Sequence, residues 1–114
     1  MRVTTDLWIS ALLRRVHGEG GFAALLRRGF ASAGAVFILI RTGTGETTLF
    51  GPAAQTSYSG EDADRRFTEI MHTADEEEIS VRLEREIRFD PDVWVVELEI
   101  GQRAPAGYFP ITTA

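Results

Sequence analysis

The stretch Arg88-Phe89-Asp90-Pro91-Asp92-Val93-Trp94-Val95-Val96-Glu97-Leu98-Glu99 restricts the fold more than any other part of the chain. A helix running up to Phe89 must stop there, because Pro91 disfavours helical geometry at Asp90. The text then alternates. Trp94, Val96, Leu98 and Ile100 point to one side of a strand, and Val93, Val95, Glu97 and Glu99 to the other. Helix, proline-locked turn and strand follow one another with no linker, so the chain has to pack a helix beside a sheet strand.

The helix before that turn is well specified. Thr73-Ala74-Asp75-Glu76 matches a capping box. Glu76, Glu77 and Glu78 crowd its first turn, and Arg85 and Arg88 its last, as the helix dipole favours. Ile79, Leu83 and Ile87 form an apolar stripe, and Glu78–Arg82 and Glu84–Arg88 are spaced as i,i+4 ion pairs. A first helix is predicted from about Thr5 to His17, capped by Thr4 or Thr5 and ended by Gly18, Gly20 and Gly21. Its apolar face is Trp8, Ile9, Leu12, Leu13 and Val16.

Between the helices the text reads as strands. Phe22 to Arg28 is bracketed by glycines and only seven residues long, which favours a strand, while its alanines and leucines keep a helix as the alternative; Gly29 to Gly34 is a turn. Ala35 to Ile40 is apolar throughout and so belongs in the middle of the sheet with both faces covered. Thr42-Gly43-Thr44-Gly45 is a hairpin loop into a strand at Glu46 to Phe50, and Arg66 to His72 is a further strand. The strands from Phe22 to Phe50 are expected to form an antiparallel meander. The prediction is an α+β domain over residues 1–100, with two helices on a mostly antiparallel sheet of about five strands, in the order α-β-β-β-β-α-β. Residues 101–114 hold two prolines and two glycines without periodicity and are expected to be a flexible tail, with Tyr108 and Phe109 able to dock.

Composition narrows the function. At 114 residues the chain has the usual size of one domain. It has no cysteine, which removes disulfides and thiolate metal sites and agrees with a reducing, cytoplasmic setting. Asp6 and the Arg14-Arg15 pair break up the N-terminal apolar text, so no signal peptide is read there. No apolar run reaches the ~20 residues of a membrane span. There are 12 basic residues, all arginine, against 17 acidic ones, a net charge of −5. That balance argues against duplex nucleic acid as a partner. Arginine in place of lysine is explained by base composition, although guanidinium also suits carboxylate and phosphate recognition.

The local texts Asp6-Leu7-Trp8-Ile9-Ser10-Ala11-Leu12-Leu13-Arg14-Arg15, Gly34-Ala35-Val36-Phe37, Leu49-Phe50-Gly51-Pro52-Ala53 and Arg88 to Glu97 resemble a small bacterial family known only as a domain of unknown function. The resemblance spans roughly residues 2 to 100. It implies one complete cytoplasmic domain and favours a strand at Phe22 to Arg28. It brings no activity, cofactor or catalytic residue.

The chemical candidates thin out on inspection. Ser10 and His17 share a helix face but lie about 10.5 Å apart along it, too far for a nucleophile and its base, which need about 3 Å. His17 and His72 show no metal-ligand spacing, and no metal or cofactor is expected. Asp90 and Asp92 flank a proline, where aspartate bonds its own backbone, and Glu97 and Glu99 lie on a strand face that meets water. Gly43-Thr44-Gly45 lacks the Lys-Ser/Thr of a phosphate loop. What is left is the long aperiodic segment from Gly51 to Asp64 and its exit. Gln55, Tyr58, Arg65 and Arg66 offer an amide, an aromatic and two guanidiniums, and Arg14 and Arg15 join them if the first helix folds nearby. Three functions follow: a non-catalytic interaction or small-anion-binding module, an enzyme on an anionic, nucleotide-like substrate using these arginines with Asp90 and Asp92, and a homodimer formed at an open sheet edge. A cleft uniting Arg65 or Arg66 with Asp90 or Asp92 favours the enzyme, and an exposed apolar patch favours the interaction module.

Overall fold

A computed structural model describes residues 3–54 and 65–113. Helix α1 spans Thr5–Gly18, followed by strands β1 (Phe22–Arg27), β2 (Val36–Arg41), β3 (Thr47–Pro52) and β4 (Phe67–Thr73). Helix α2 (Glu76–Phe89), strand β5 (Trp94–Glu99) and a short 3-10 turn at Pro105–Gly107 complete the chain. The five strands form one sheet in the order β1-β5-β2-β3-β4. The fold is α+β with the expected element order.

The pairing departs from the expected meander at one point. β2, β3 and β4 do follow one another antiparallel. β1, however, does not pair with β2. β5 enters between them, antiparallel to β1 and parallel to β2. The apolar text explains the choice. Val36 to Ile40 and Trp94 to Val96 are buried on both faces, whereas Phe22 and Leu26 of β1 stay about half exposed. The two strands that need cover on both sides take the middle, and the least demanding one takes the edge.

Alternation along the strands divides the core in two. Val36, Ile38, Ile40, Trp94, Val96 and Leu98 pack with Ile9, Leu12 and Val16 of α1. Phe37, Leu39, Leu49, Val93 and Val95 pack with Ile79, Leu83 and Ile87 of α2. A helix therefore covers each face, as the two stripes require.

The helix starts differ in detail from the sequence reading. Thr4 occupies the cap position of α1, yet its hydroxyl donates to Asp6 Oδ1 at 2.6 Å, and that carboxylate accepts from Leu7 N–H at 2.8 Å. In α2 the cap is Asp75, whose side chain accepts from Glu77 N–H at 2.9 Å, while Thr73 binds Glu78. Arg82 pairs with Glu86 at 2.8 Å rather than with Glu78.

Beyond Gly101, Tyr108 and Phe109 pack into the core, the two residues of the tail expected to be able to dock. Phe109 is 2 % exposed, its ring set edge-on to Phe50 at 5.3 Å and to Phe67 at 5.1 Å. Phe67 N–H donates to Pro110 O at 2.9 Å and Thr112 N–H donates to Phe67 O at 2.8 Å, so the segment begins to pair along β4. Tyr108 donates its hydroxyl to Glu19 Oε1 at 2.6 Å under the guanidinium of Arg15. Two adjacent aromatics make these contacts. They leave no periodic signature in the text, which is why the sequence does not announce them.

Candidate functional site

The site forms where several backbone irregularities meet at one end of the sheet. Gly29 and Gly34 bracket the turn into β2, and each lies so close to Asp92 O that a Cβ would sit 2.1 Å from it and also strike the Trp94 ring. Only glycine permits this approach. Phe30 then donates its N–H to Asp92 O at 3.1 Å and accepts from Trp94 Nε1 at 2.9 Å. The turn is thereby fastened to the start of β5. Asp92 takes part through its backbone carbonyl, not its carboxylate.

Beside this clamp lies a half-open cleft of about 290 Å³. Ala33, Gly34 and Ala35 form one wall and Pro52 and Ala53 another. Val36 and Phe67 lie at the floor, and Arg65, Arg66 and Asp90 supply the charge. The structure thus brings together three of the residues singled out in the sequence. Arg14 is exposed on α1 and Asp92 is exposed on its turn, and neither lines the cleft. Gln55 and Tyr58 lie outside the described residues.

The three charged groups are held differently. Arg65 donates to Val3 O at 3.2 Å and to Thr5 Oγ1 at 3.0 Å, and its guanidinium lies 5.8 Å over the Trp8 ring. Thr5, fully buried, donates a hydrogen bond from its hydroxyl to Gly34 O at 3.2 Å. Arg65 is therefore a strut joining the start of α1 to the cleft wall. The sequence offered Thr5 only as a helix cap, and a threonine near a helix start carries no signal for the strut it joins here. Arg66 is exposed, and its backbone carbonyl is fixed by Ala53 N–H at 2.9 Å. Among the described residues its guanidinium has no ion-pair partner. Asp90 Oδ1 accepts from Asp92 N–H at 3.1 Å and Asp90 O accepts from Val93 N–H at 3.3 Å, the self-bonded turn expected of an aspartate before proline.

A second arginine site sits at the opposite end of β2. Arg41 donates to Glu97 at 2.8 Å, to Glu76 at 2.5 Å and to Thr47 Oγ1 at 3.1 Å. The hydrogen bond to Glu76, with both carboxylates close by, holds its pKa above the usual arginine value. Glu97 is thus ion-paired rather than facing water. Sequence spacing could not reveal this set, since its members come from four separate elements. His17 meets Ala23 O at 3.0 Å, and His72 lies between Thr48 Oγ1 and Glu46 Oε1, both at 2.7 Å. Among the described residues no three of His, Asp or Glu gather as a metal site, and no helix is long and apolar enough to cross a membrane.

Comparison with known proteins agrees with this silence about activity. No curated protein matches the chain. A protein of A. tumefaciens, solved in solution, is 40 % identical, with a TM-score of 0.85 over 100 % of this chain and 98 % of that one. A DUF1491 family protein from Caulobacter crescentus, solved as a crystal, is 33 % identical with a TM-score of 0.76, covering 97 % of this chain and 100 % of that one. An NMR structure of a DUF1491 family protein from the same organism is 34 % identical with a TM-score of 0.79, covering 98 % of each chain. The description "Protein of unknown function (DUF1491)" matches residues 3–106, and with that coverage the chain belongs to the DUF1491 family.

Proposed function

We propose that the chain is a non-catalytic module that binds a small ligand through the ligand's anionic group, at the cleft between the β2 entry and the start of β4. The observation that carries this reading is Arg66: an exposed guanidinium on a fixed backbone, lining a cleft, with no ion-pair partner among the described residues. Guanidinium presents a planar fork of donors that fits carboxylate or phosphate. Arg65 contributes positive potential while holding the wall in place. The cysteine-free composition suits work in a reducing, cytoplasmic setting.

A second reading, an enzyme on an anionic substrate, is favoured by Asp90 sharing the cleft with both arginines. It stands lower because, among the described residues, the lining offers no hydroxyl, thiol or imidazole side chain as nucleophile or proton shuttle. An NMR titration with acetate and with inorganic phosphate tests the first reading. Shifts are expected at residues 33–35, 52–53 and 65–67, and Arg66→Ala abolishes them. Shifts that persist in Arg66→Ala, or that cluster elsewhere, overturn it.

A further inference from the structure

Arg66 and Asp90 line the same cleft with opposite charge, yet no ion pair joins them. Each is held by its own scaffold. Asp90 is tied by its Oδ1 to Asp92 N–H and by Pro91 to a rigid turn. Arg66 leaves the chain just before β4, where Ala53 fixes its carbonyl. The carboxylate still has lone pairs beyond the one Asp92 occupies, because a carboxylate accepts about four hydrogen bonds. The cleft they share holds about 290 Å³ and is lined also by Ala35, Pro52 and Ala53. A simple anion bound by Arg66 would share the cleft with the carboxylate of Asp90, and like charges in one site cost binding energy.

We infer that the ligand is a small zwitterion, an α-amino acid with an apolar side chain, its carboxylate received by Arg66 and its ammonium by Asp90. This rests on the ligand-binding reading above and names the class of ligand. The carboxylate and ammonium of an amino acid are joined through one carbon, so a single small ligand brings both charges into the one cleft that Arg66 and Asp90 line. Its side chain lies along the alanine and proline walls, and its size is limited by the cleft volume.

The test is a titration of the full chain, followed by NMR, with alanine, leucine and phenylalanine. Each is compared with its N-acetyl derivative, which has lost the positive charge, and its amide, which has lost the negative one. At least one free amino acid is expected to bind about tenfold or more tighter than both of its blocked forms, a difference of about 1.4 kcal/mol. Asp90→Asn keeps an acceptor for Asp92 N–H. It is expected to reduce the free amino acid to the affinity of its N-acetyl form. If N-acetyl forms bind as tightly as free amino acids, and acetate still binds through Arg66, the zwitterion inference falls while anion binding stands. If neither the amino acids nor acetate and phosphate bind, both fall. Should Asp90→Asn not fold, the comparison among the three ligand forms on the unaltered chain decides alone.

Discussion

The two ends of β2 carry the same chemistry in opposite states. At the C-terminal end Arg41 is closed in by Glu76, Glu97 and Thr47, and its side chain is 28 % exposed against 16 % for Glu97. At the N-terminal end Arg66 and Asp90 flank an open cleft and stay unpaired with each other. The closed end fastens the start of α2 to the sheet, since Glu76 is the first residue of that helix. The open end has its own fastening in Arg65, Thr5 and the glycine clamp, none of which needs Arg66. Charges that the fold uses are bonded to each other. Charges that it leaves apart are available to something else.

The largest test of that contrast concerns what lies under the open end. Phe109 fills the space against Phe50 and against Phe67 of the cleft floor. Phe109→Ala is expected to cost ~3–5 kcal/mol. Deleting residues 102–114 should lower Tm by more than 10 °C, because ~1 kcal/mol moves a domain of this size by about 4–8 °C. A loss of only a few degrees in a melting curve would show that the open end stands without its C-terminal support.

A smaller effect belongs to the helix that the closed end anchors. Leu83 packs on the α2 side of the core but stays partly exposed. Leu83→Ala is expected to cost ~1–3 kcal/mol, toward the low side of buried leucine truncations. A denaturation curve displaced by less than ~0.5 kcal/mol would mean that α2 is held chiefly by its Arg41 end.

The direct comparison is between the arginines. Arg41→Ala leaves Glu97, which is mostly buried, without its cation, and should cost ~1–2 kcal/mol, discounted for partial exposure. Arg66→Ala should change stability by less than ~0.5 kcal/mol, as exposed charges do. Equal costs in urea titrations would make the cleft arginine structural and remove the contrast.

The smallest effect is a pH dependence at the tail latch. Glu19 is held below its usual carboxylate range, first by the Tyr108 hydroxyl and then by Arg15 and Arg103. Tyr108 is held above its ordinary value of 10.0, mainly by that same bond. A depressed carboxylate stabilises the fold above its unfolded pKa, and the contribution fades as pH falls through the folded one. A raised tyrosine stabilises below its unfolded pKa, and that contribution fades as pH rises through the folded one. Tyr108→Phe should flatten both limbs of Tm against pH. Identical profiles in the two proteins would show that the latch does not contribute.

Much of the fold is legible in the text because its signals are local. Pro91 ends α2 and the alternation after it defines β5 within a few residues of each other. The strand partner of β1 is not legible: Phe22 lies opposite Glu99, and no local pattern chooses between β2 and β5 as neighbour. The site divides along the same line. Arginine-rich text marked Arg65 and Arg66, and the turn marked Asp90, but only tertiary contact separates Arg65 as a strut from Arg66 as an available cation. Docking of the tail through Tyr108 and Phe109 depends on two side chains finding one gap, which no repeat encodes.

Placing β5 between β1 and β2 also sets an order of events during synthesis. A ribosome adds about 5–20 residues each second. Until Trp94 to Glu99 has emerged, β1 has no strand to pair with, and β2, the most apolar strand, presents an open edge to solvent. The meander β2-β3-β4 can assemble early, but it must wait with that edge uncovered. Ribosomal stalling or premature release before β5 would expose an adhesive strand of Val36 to Ile40 to neighbouring nascent chains. For this fold the hazardous interval is the one before β5 takes its place between β1 and β2.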